Sequence, residues 1–172
     1  MEQFTDLIRD IPDFPEPGVV FKDITPILNR GEAFSDLVSK MSDPFREAGV
    51  TQVAGIEARG FTLAAPIAVE LGAGFIPIRK PGKLPFKTRM EEYSLEYGTD
   101  QLEVHVDAAG PEDIVLLVDD VIATGGTAAA ALRLMKSIGA EVAGFSVFIE
   151  LAFLQGRAKL PEVPYHALLV YD

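Results

Sequence analysis

The stretch IVLLVDDVIATGGT, residues 114–127, decides how this chain is read. Its first five residues, Ile114 to Val118, predict a strand buried on both faces. Two adjacent carboxylates follow, Asp119 and Asp120, and then a small glycine-containing turn, ATGGT (123–127). That turn opens a helix predicted over 127–138 and closed by Gly139. In a parallel sheet, ligands sit beyond the carboxyl ends of strands, where loops lead into helices. Backbone N–H groups at a helix start, together with the macrodipole, favour an anion there. A pair of carboxylates would repel that anion if it were a bare phosphate. A sugar phosphate reconciles the two features. Asp119 and Asp120 would accept from ribose hydroxyls, while Ala123, Thr124, Gly125, Gly126 and Thr127 would hold the 5′-phosphate. A hydrated Mg²⁺ nearby would lower the repulsion between the acids. Taken alone, an acidic loop capping a helix accounts equally well for two acids and a glycine pair.

Working outward, short apolar runs alternate with helical periodicity. Strands are predicted over 52–56, 74–78, 101–106, 114–118, 142–150 and 166–170, and helices over 2–11, 34–45, 61–71 and 127–138. Pro44 warns that the second helix kinks or restarts there, and PDFPEPG (12–18) breaks the first. The pattern implies an α/β fold with a mostly parallel sheet covered on both faces. Residues 79–100 stand apart as a long, charged segment poor in core residues, more like a lid than a packed element. At 172 residues, 48% hydrophobic and 24% charged, the chain reads as one soluble domain. It has no cysteine, hence no disulfide framework and no thiolate metal site. A net charge of −11 argues against nonspecific nucleic-acid binding. MEQFTDLIRD lacks the layout of a signal peptide and no apolar run reaches membrane-spanning length, so no membrane association and a cytoplasmic location are expected.

Five blocks, FPEPGVVFKDITPIL (14–28), GIEARGF (55–61), RKPGKLP (79–85), YSLEYG (93–98) and VDDVIATGGT (118–127), together resemble the type I phosphoribosyltransferases, and within them the branch that acts on adenine. The resemblance implies a single domain over 1–172, with a base-binding hood at 1–30 and a flexible lid at 79–100. It also implies transfer of ribose 5-phosphate from 5-phosphoribosyl 1-diphosphate to adenine, giving AMP and pyrophosphate in a homodimer. Mg²⁺ would be bound mainly through substrate and water, with no direct protein ligand. Such a transfer passes through an oxocarbenium-like state, so the site must stabilise leaving pyrophosphate, position the base and exclude water. Arg59 offers a planar donor fork for the diphosphate. Arg79, Lys80 and Lys83 gather positive charge after a strand end and suit the same group. By resemblance, Tyr97 helps cover the diphosphate, and Glu96 is the acid–base residue on the purine imidazole. Desolvation beneath a lid would raise the pKa of Glu96. The resemblance also puts a non-proline cis peptide at Glu57–Ala58, and sends a basic residue of 79–83 to the neighbouring subunit's site.

Val20, Phe21 and Lys22 are the expected adenine residues. A Lys22 N–H and a Val20 C=O would match N1 and N6 of adenine, with Phe21 on the ring face; packing of Val19 and Phe21 into the sheet edge is the plainer account of the same residues. Glu91, Glu92 and Glu103 read as exposed glutamates, and His105 and His166 as structural. Two other functions fit the motif: a sister enzyme using a 6-oxopurine, and a regulator that senses phosphoribosyl diphosphate.

Overall fold

The segment expected as one helix over residues 2–11 divides in two. The computed structural model describes residues 2–94, 98–160 and 163–172, which fall into two compact units, Met1–Ser39 and Lys40–Asp172. Only Glu2–Thr5 is helical (α1), and Arg9–Pro12 is a strand (β1) paired antiparallel with Val20–Asp23 (β2). The cause lies in the connecting PDFPEPG. Asp13 (φ 57°) and Gly18 (φ 89°) reverse the chain, and the Gly18 N–H donates to Asp13 Oδ1 at 2.7 Å. The turn sets RDIP opposite VFKD, and ladder bonds take the place of helical ones. Further on come α2 (Thr25–Leu28) and α3 (Gly31–Ser42). The latter starts earlier than expected and ends at a 3-10 turn, Asp43–Phe45, because Pro44 has no N–H to donate.

In the second unit, β3 (Gln52–Ile56), α4 (Gly60–Leu71) and β4 (Gly74–Ile78) form one parallel strand–helix–strand crossover unit, with the strand bounds as expected. The strands β5 (Thr88–Ser94) and β6 (Thr99–His105) make an antiparallel pair. They precede β7 (Ile114–Ile122), α5 (Gly126–Ser137), β8 (Glu141–Leu151) and β9 (Tyr165–Tyr171). Five strands build a fully parallel sheet in the order β4-β3-β7-β8-β9. Its central strands are solvent-excluded from Val115 to Val118 and at Val53 and Ala54, as near-continuous apolar strands are when both faces are covered.

Two expectations need correction here. Residues 88–94, inside the segment read as lacking a packed element, form β5, with Tyr93 only 6% exposed. Exposed Arg89, Met90 and Glu92 mask that strand's buried anchor, Tyr93, in the sequence. Glu103 is buried rather than exposed: its backbone bridges Arg79 in both directions, and its carboxylate accepts from the Gly82 N–H at 3.2 Å. In addition, β7 runs to Ile122 instead of stopping at Val118, because β8 is long enough to continue the ladder through Asp119↔Val147 and Ile122↔Glu150.

The strand order reverses between β3 and β7. From β3 the chain crosses to β4 on one side, and from β7 it crosses to β8 on the other. The carboxyl ends of β3 and β7 therefore flank a topological switch point, where open α/β sheets bind ligands.

Candidate active site

A cavity of about 250 Å³ opens at that switch point. The loop after β3 contributes Glu57, Ala58 and Arg59, the end of β7 contributes Asp119 and Asp120, and ATGGT contributes the start of α5. Lys80 and Tyr93 complete the wall. All seven residues expected to bind ribose 5-phosphate, Asp119, Asp120 and Ala123 to Thr127, line this one space. So do Arg59 and Lys80 from the expected diphosphate set, whereas Arg79 and Lys83 are not among the lining residues.

The acids are within the strand, not past its end, and this sets their environment. β3 pairs with β7 only up to Val118. The β3 side of Asp119 and Asp120 is thereby left to the loop 57–59. Asp120 is 3% exposed. Its Oδ2 lies 2.8 Å from Arg59 Nε, an ion pair that lacks the alignment of a hydrogen bond. Asp119 keeps part of its surface toward the cavity, and its Oδ1 accepts from the Asp120 N–H at 2.9 Å. Burial, and then the Asp120 charge, push the Asp119 carboxyl well above the usual carboxylate range. Burial also raises Asp120, against the opposing pull of Arg59.

The ATGGT loop is braced from outside the motif. Gly125, at φ 74°, is the N-cap of α5. A Cβ there would lie 2.2 Å from the Gly156 carbonyl oxygen, and a Cβ on Gly156 would lie 2.2 Å from that of Ala123. Backbone touches backbone at both positions, so only glycine fits either. Gly156 sits in a 3-10 turn, Gly156–Lys159, after β8. Nothing in LQGRAKL singles it out as a sequence.

Basic residues of 79–83 gather on two carboxylates, one buried and one partly exposed. Glu57, expected only as one side of a cis peptide, has a side chain 7% exposed. Its Oε2 accepts from Arg79 Nε at 3.0 Å and from the Lys80 N–H at 2.7 Å, and its Oε1 pairs with Lys83. Burial pushes Glu57 up, but Lys83, the Lys80 N–H and Arg79 together hold it below its ordinary value. The Glu57–Ala58 bond is cis, as the resemblance implied. The Lys80 ammonium is held by Tyr93 and Asp100. Glu57, Tyr93 and Asp100 carried no role in the sequence reading, since their meeting depends on separate strands and loops.

The residues expected to bind adenine, Val20, Phe21 and Lys22, belong to the first unit. The Phe21 ring meets Phe14 edge-on, with centroids 5.0 Å apart. Val19 (43%), Val20 (50%) and Phe14 (50%) are exposed, so Val19 is not the core residue of the plainer account. Val19 C=O accepts from the Phe14 N–H at 3.2 Å, toward β1. Strand alternation then turns the peptide groups of Val20 and Lys22 the other way. The Lys22 ammonium pairs with Asp10 at 2.7 Å. Glu96 and Tyr97 lie outside the described residues. His105 Nε2 accepts from the Phe86 N–H at 3.3 Å, and burial lowers the pKa of His166.

Residues 22–167 match the phosphoribosyl transferase domain model. An adenine phosphoribosyltransferase of Frankia alni is 57% identical over 162 residues, 94% of this chain and 86% of the relative. The crystal structure of adenine phosphoribosyltransferase from Rhodothermus marinus superposes with a TM-score of 0.95 at 52% identity, covering 99% of this chain and 97% of that one. The Saccharomyces cerevisiae enzyme, crystallised with an imino-altritol bisphosphate and adenine, gives a TM-score of 0.92 at 36% identity over 98% and 97%.

Proposed function

This chain belongs to the phosphoribosyltransferase family, and we propose that it converts adenine and 5-phosphoribosyl 1-diphosphate to AMP and pyrophosphate in purine salvage. The observation that carries this reading is the meeting, at one switch point, of a carboxylate pair, a helix-opening anion loop and cationic side chains. The N–H groups of Ala123 to Thr127 hold the 5′-phosphate at the positive end of α5. Asp119 and Asp120 accept from the ribose hydroxyls, acceptors whose burial makes each bond count for more than it would in water. Arg59 and Lys80 take the diphosphate, joined by Arg79, Lys83 and Tyr97. As the bond from C1′ to the diphosphate oxygen breaks, these cations stabilise charge on the leaving group, and N9 of adenine closes on C1′. Glu96 handles the proton of the purine imidazole. The segment 79–100 acts as a lid that excludes water.

The donor set suits Mg²⁺ carried by the substrate. Among the described residues no three side chains that ligate metals come together, and Mg²⁺ favours a few carboxylates with water and substrate phosphates over an all-protein cage. Bound there, the ion neutralises diphosphate charge. We further read the chain as one functional domain, acting as a cytoplasmic homodimer, with residues 1–30 holding the base.

Base choice is the test. Adenine offers an acceptor at N1 and a donor at N6, which Lys22 N–H and Val20 C=O match, with Phe21 on the ring. Hypoxanthine reverses both, and such a mismatch discriminates by ~10⁴. Assayed with four purine bases, adenine is expected to lead by that order. Lys22→Ala keeps the selectivity because the contact is a backbone one, and Phe21→Ala weakens adenine binding by about 1–3 kcal/mol. Equal kcat/KM for hypoxanthine and adenine would overturn the assignment.

A further inference from the structure

Lys80 lines the cavity beside Tyr93, and its ammonium is fastened by two side chains of the β5–β6 pair. It donates to the Tyr93 hydroxyl at 2.8 Å and pairs with the Asp100 carboxylate, while Tyr93 Oη donates to Asp100 Oδ2 at 3.1 Å. Tyr93 and Asp100 are directly opposed across β5 and β6. The three groups close a triangle with a defined polarity. Asp100 accepts the hydrogen bond of the Tyr93 hydroxyl, which turns an oxygen lone pair of Tyr93 toward the lysine. An ammonium has three N–H donors, and two of them are committed here. The Tyr93 ring also lies 5.4 Å from the ammonium, and the tyrosine is 6% exposed. Burial pulls Lys80 down, but Asp100 and Tyr93 hold it above its ordinary value, and Lys80 in turn keeps Asp100 below its own despite burial. The pair is therefore charged throughout the neutral range.

A free lysine chain loses most of its rotamer freedom when it grips a ligand, and this weakens the contact. From the triangle we infer that Tyr93 and Asp100 are positioning residues, which immobilise Lys80 so that its remaining donor is directed at the diphosphate. This rests on the reading of Lys80 as a diphosphate ligand. The hairpin itself does not need the triangle. Seven backbone-paired positions, Thr88↔His105 to Ser94↔Thr99, already set its register.

The test is a double-mutant cycle on the full chain, with magnesium pyrophosphate binding read by calorimetry and KM and kcat read with both substrates. Lys80→Met is expected to weaken pyrophosphate binding about 10–100-fold, the scale of a hydrogen bond to a charged group. Tyr93→Phe removes one acceptor and no charge. It is expected to weaken pyrophosphate binding and raise KM for phosphoribosyl diphosphate about 3–10-fold, with kcat and KM for adenine nearly unchanged. Asp100→Asn should act in the same direction. In the Lys80→Met background neither change should have a further effect, a coupling that a merely structural role would not produce. If Lys80→Met leaves pyrophosphate affinity intact, the diphosphate reading of Lys80 fails and the inference falls with it. If Lys80→Met weakens binding but Tyr93→Phe does not, or its effect persists without Lys80, only the positioning role is overturned. Should Asp100→Asn fail to fold, Tyr93→Phe decides alone.

Discussion

Replacing Gly125 by alanine tests the phosphate loop at its tightest point. At φ 74° an alanine carries a backbone penalty of about 1–2 kcal/mol. The new Cβ would also stand 2.2 Å from the Gly156 carbonyl oxygen and 2.8 Å from its carbon, where ordinary contact begins at 3.4 Å. The obstacle is backbone and cannot rotate aside, so the loop or the Gly156 turn must shift by about 1 Å. Overpacking of this kind costs roughly 1–3 kcal/mol. Together the two effects predict a loss of about 2–5 kcal/mol, or roughly 5–15 °C in Tm for a chain of this length. Gly125 caps α5, so the N–H groups proposed to hold the 5′-phosphate move with it. A displacement of about 1 Å from productive geometry costs on the order of 10² in kcat/KM. Thermal unfolding, AMP calorimetry and steady-state kinetics at saturating adenine measure all three. Gly72→Ala is the control. It has a similar φ of 67° and open space around the new Cβ, so it should lose stability and keep activity. Gly156→Ala, whose Cβ would lie 2.9 Å from the Gly125 nitrogen, should reproduce the Gly125→Ala defect from outside the motif. A folded Gly125→Ala protein with kcat/KM within about two-fold of the parent would refute the reasoning.

Burial, and then the Asp120 charge, raise the Asp119 pKa, so the native state keeps a proton that the unfolded chain has released above about pH 4. Stability then falls as pH rises from there toward the folded value. Asp119→Asn is expected to be more stable than the parent at pH 8 and to lose that advantage near pH 4, while binding AMP less well; equal Tm values at both pH values would contradict this. Chelation by EDTA should abolish turnover, and metal analysis of the substrate-free protein should find well under one Mg²⁺ per chain; a stoichiometric ion surviving dialysis would sink the substrate-carried role. Glu96→Gln is expected to lower kcat by roughly 10²–10⁴ with a smaller change in adenine affinity. Hydrogen exchange over residues 80–97 should slow when substrates bind, and identical exchange with and without them would count against the lid.

How far the sequence alone reached depends on the range of the interaction involved. Strands Gln52–Ile56 and Gly74–Ile78 were legible to the residue, because apolar runs bounded by turn residues carry their own ends. The meeting of Asp119, Asp120 and ATGGT at one strand-to-helix passage was legible for the same reason: all of it is local to some ten residues. The N-terminal helix expected over 2–11 was not, since Phe4, Leu7, Ile8 and Ile11 fit helical spacing and only the reversal at Asp13 and Gly18 supplies the partner strand. The continuation of β7 through both carboxylates was equally out of reach. It is β8, more than twenty residues later, that extends the ladder to Ile122. Glu57 with Arg79 and Lys83, Asp100 and Tyr93 with Lys80, and Gly156 against Gly125 are joined by no periodicity at all. The backbone topology brings each pair together. Short-range pattern encodes which element forms, and long-range pairing decides which charges and which backbones must share the same few ångströms.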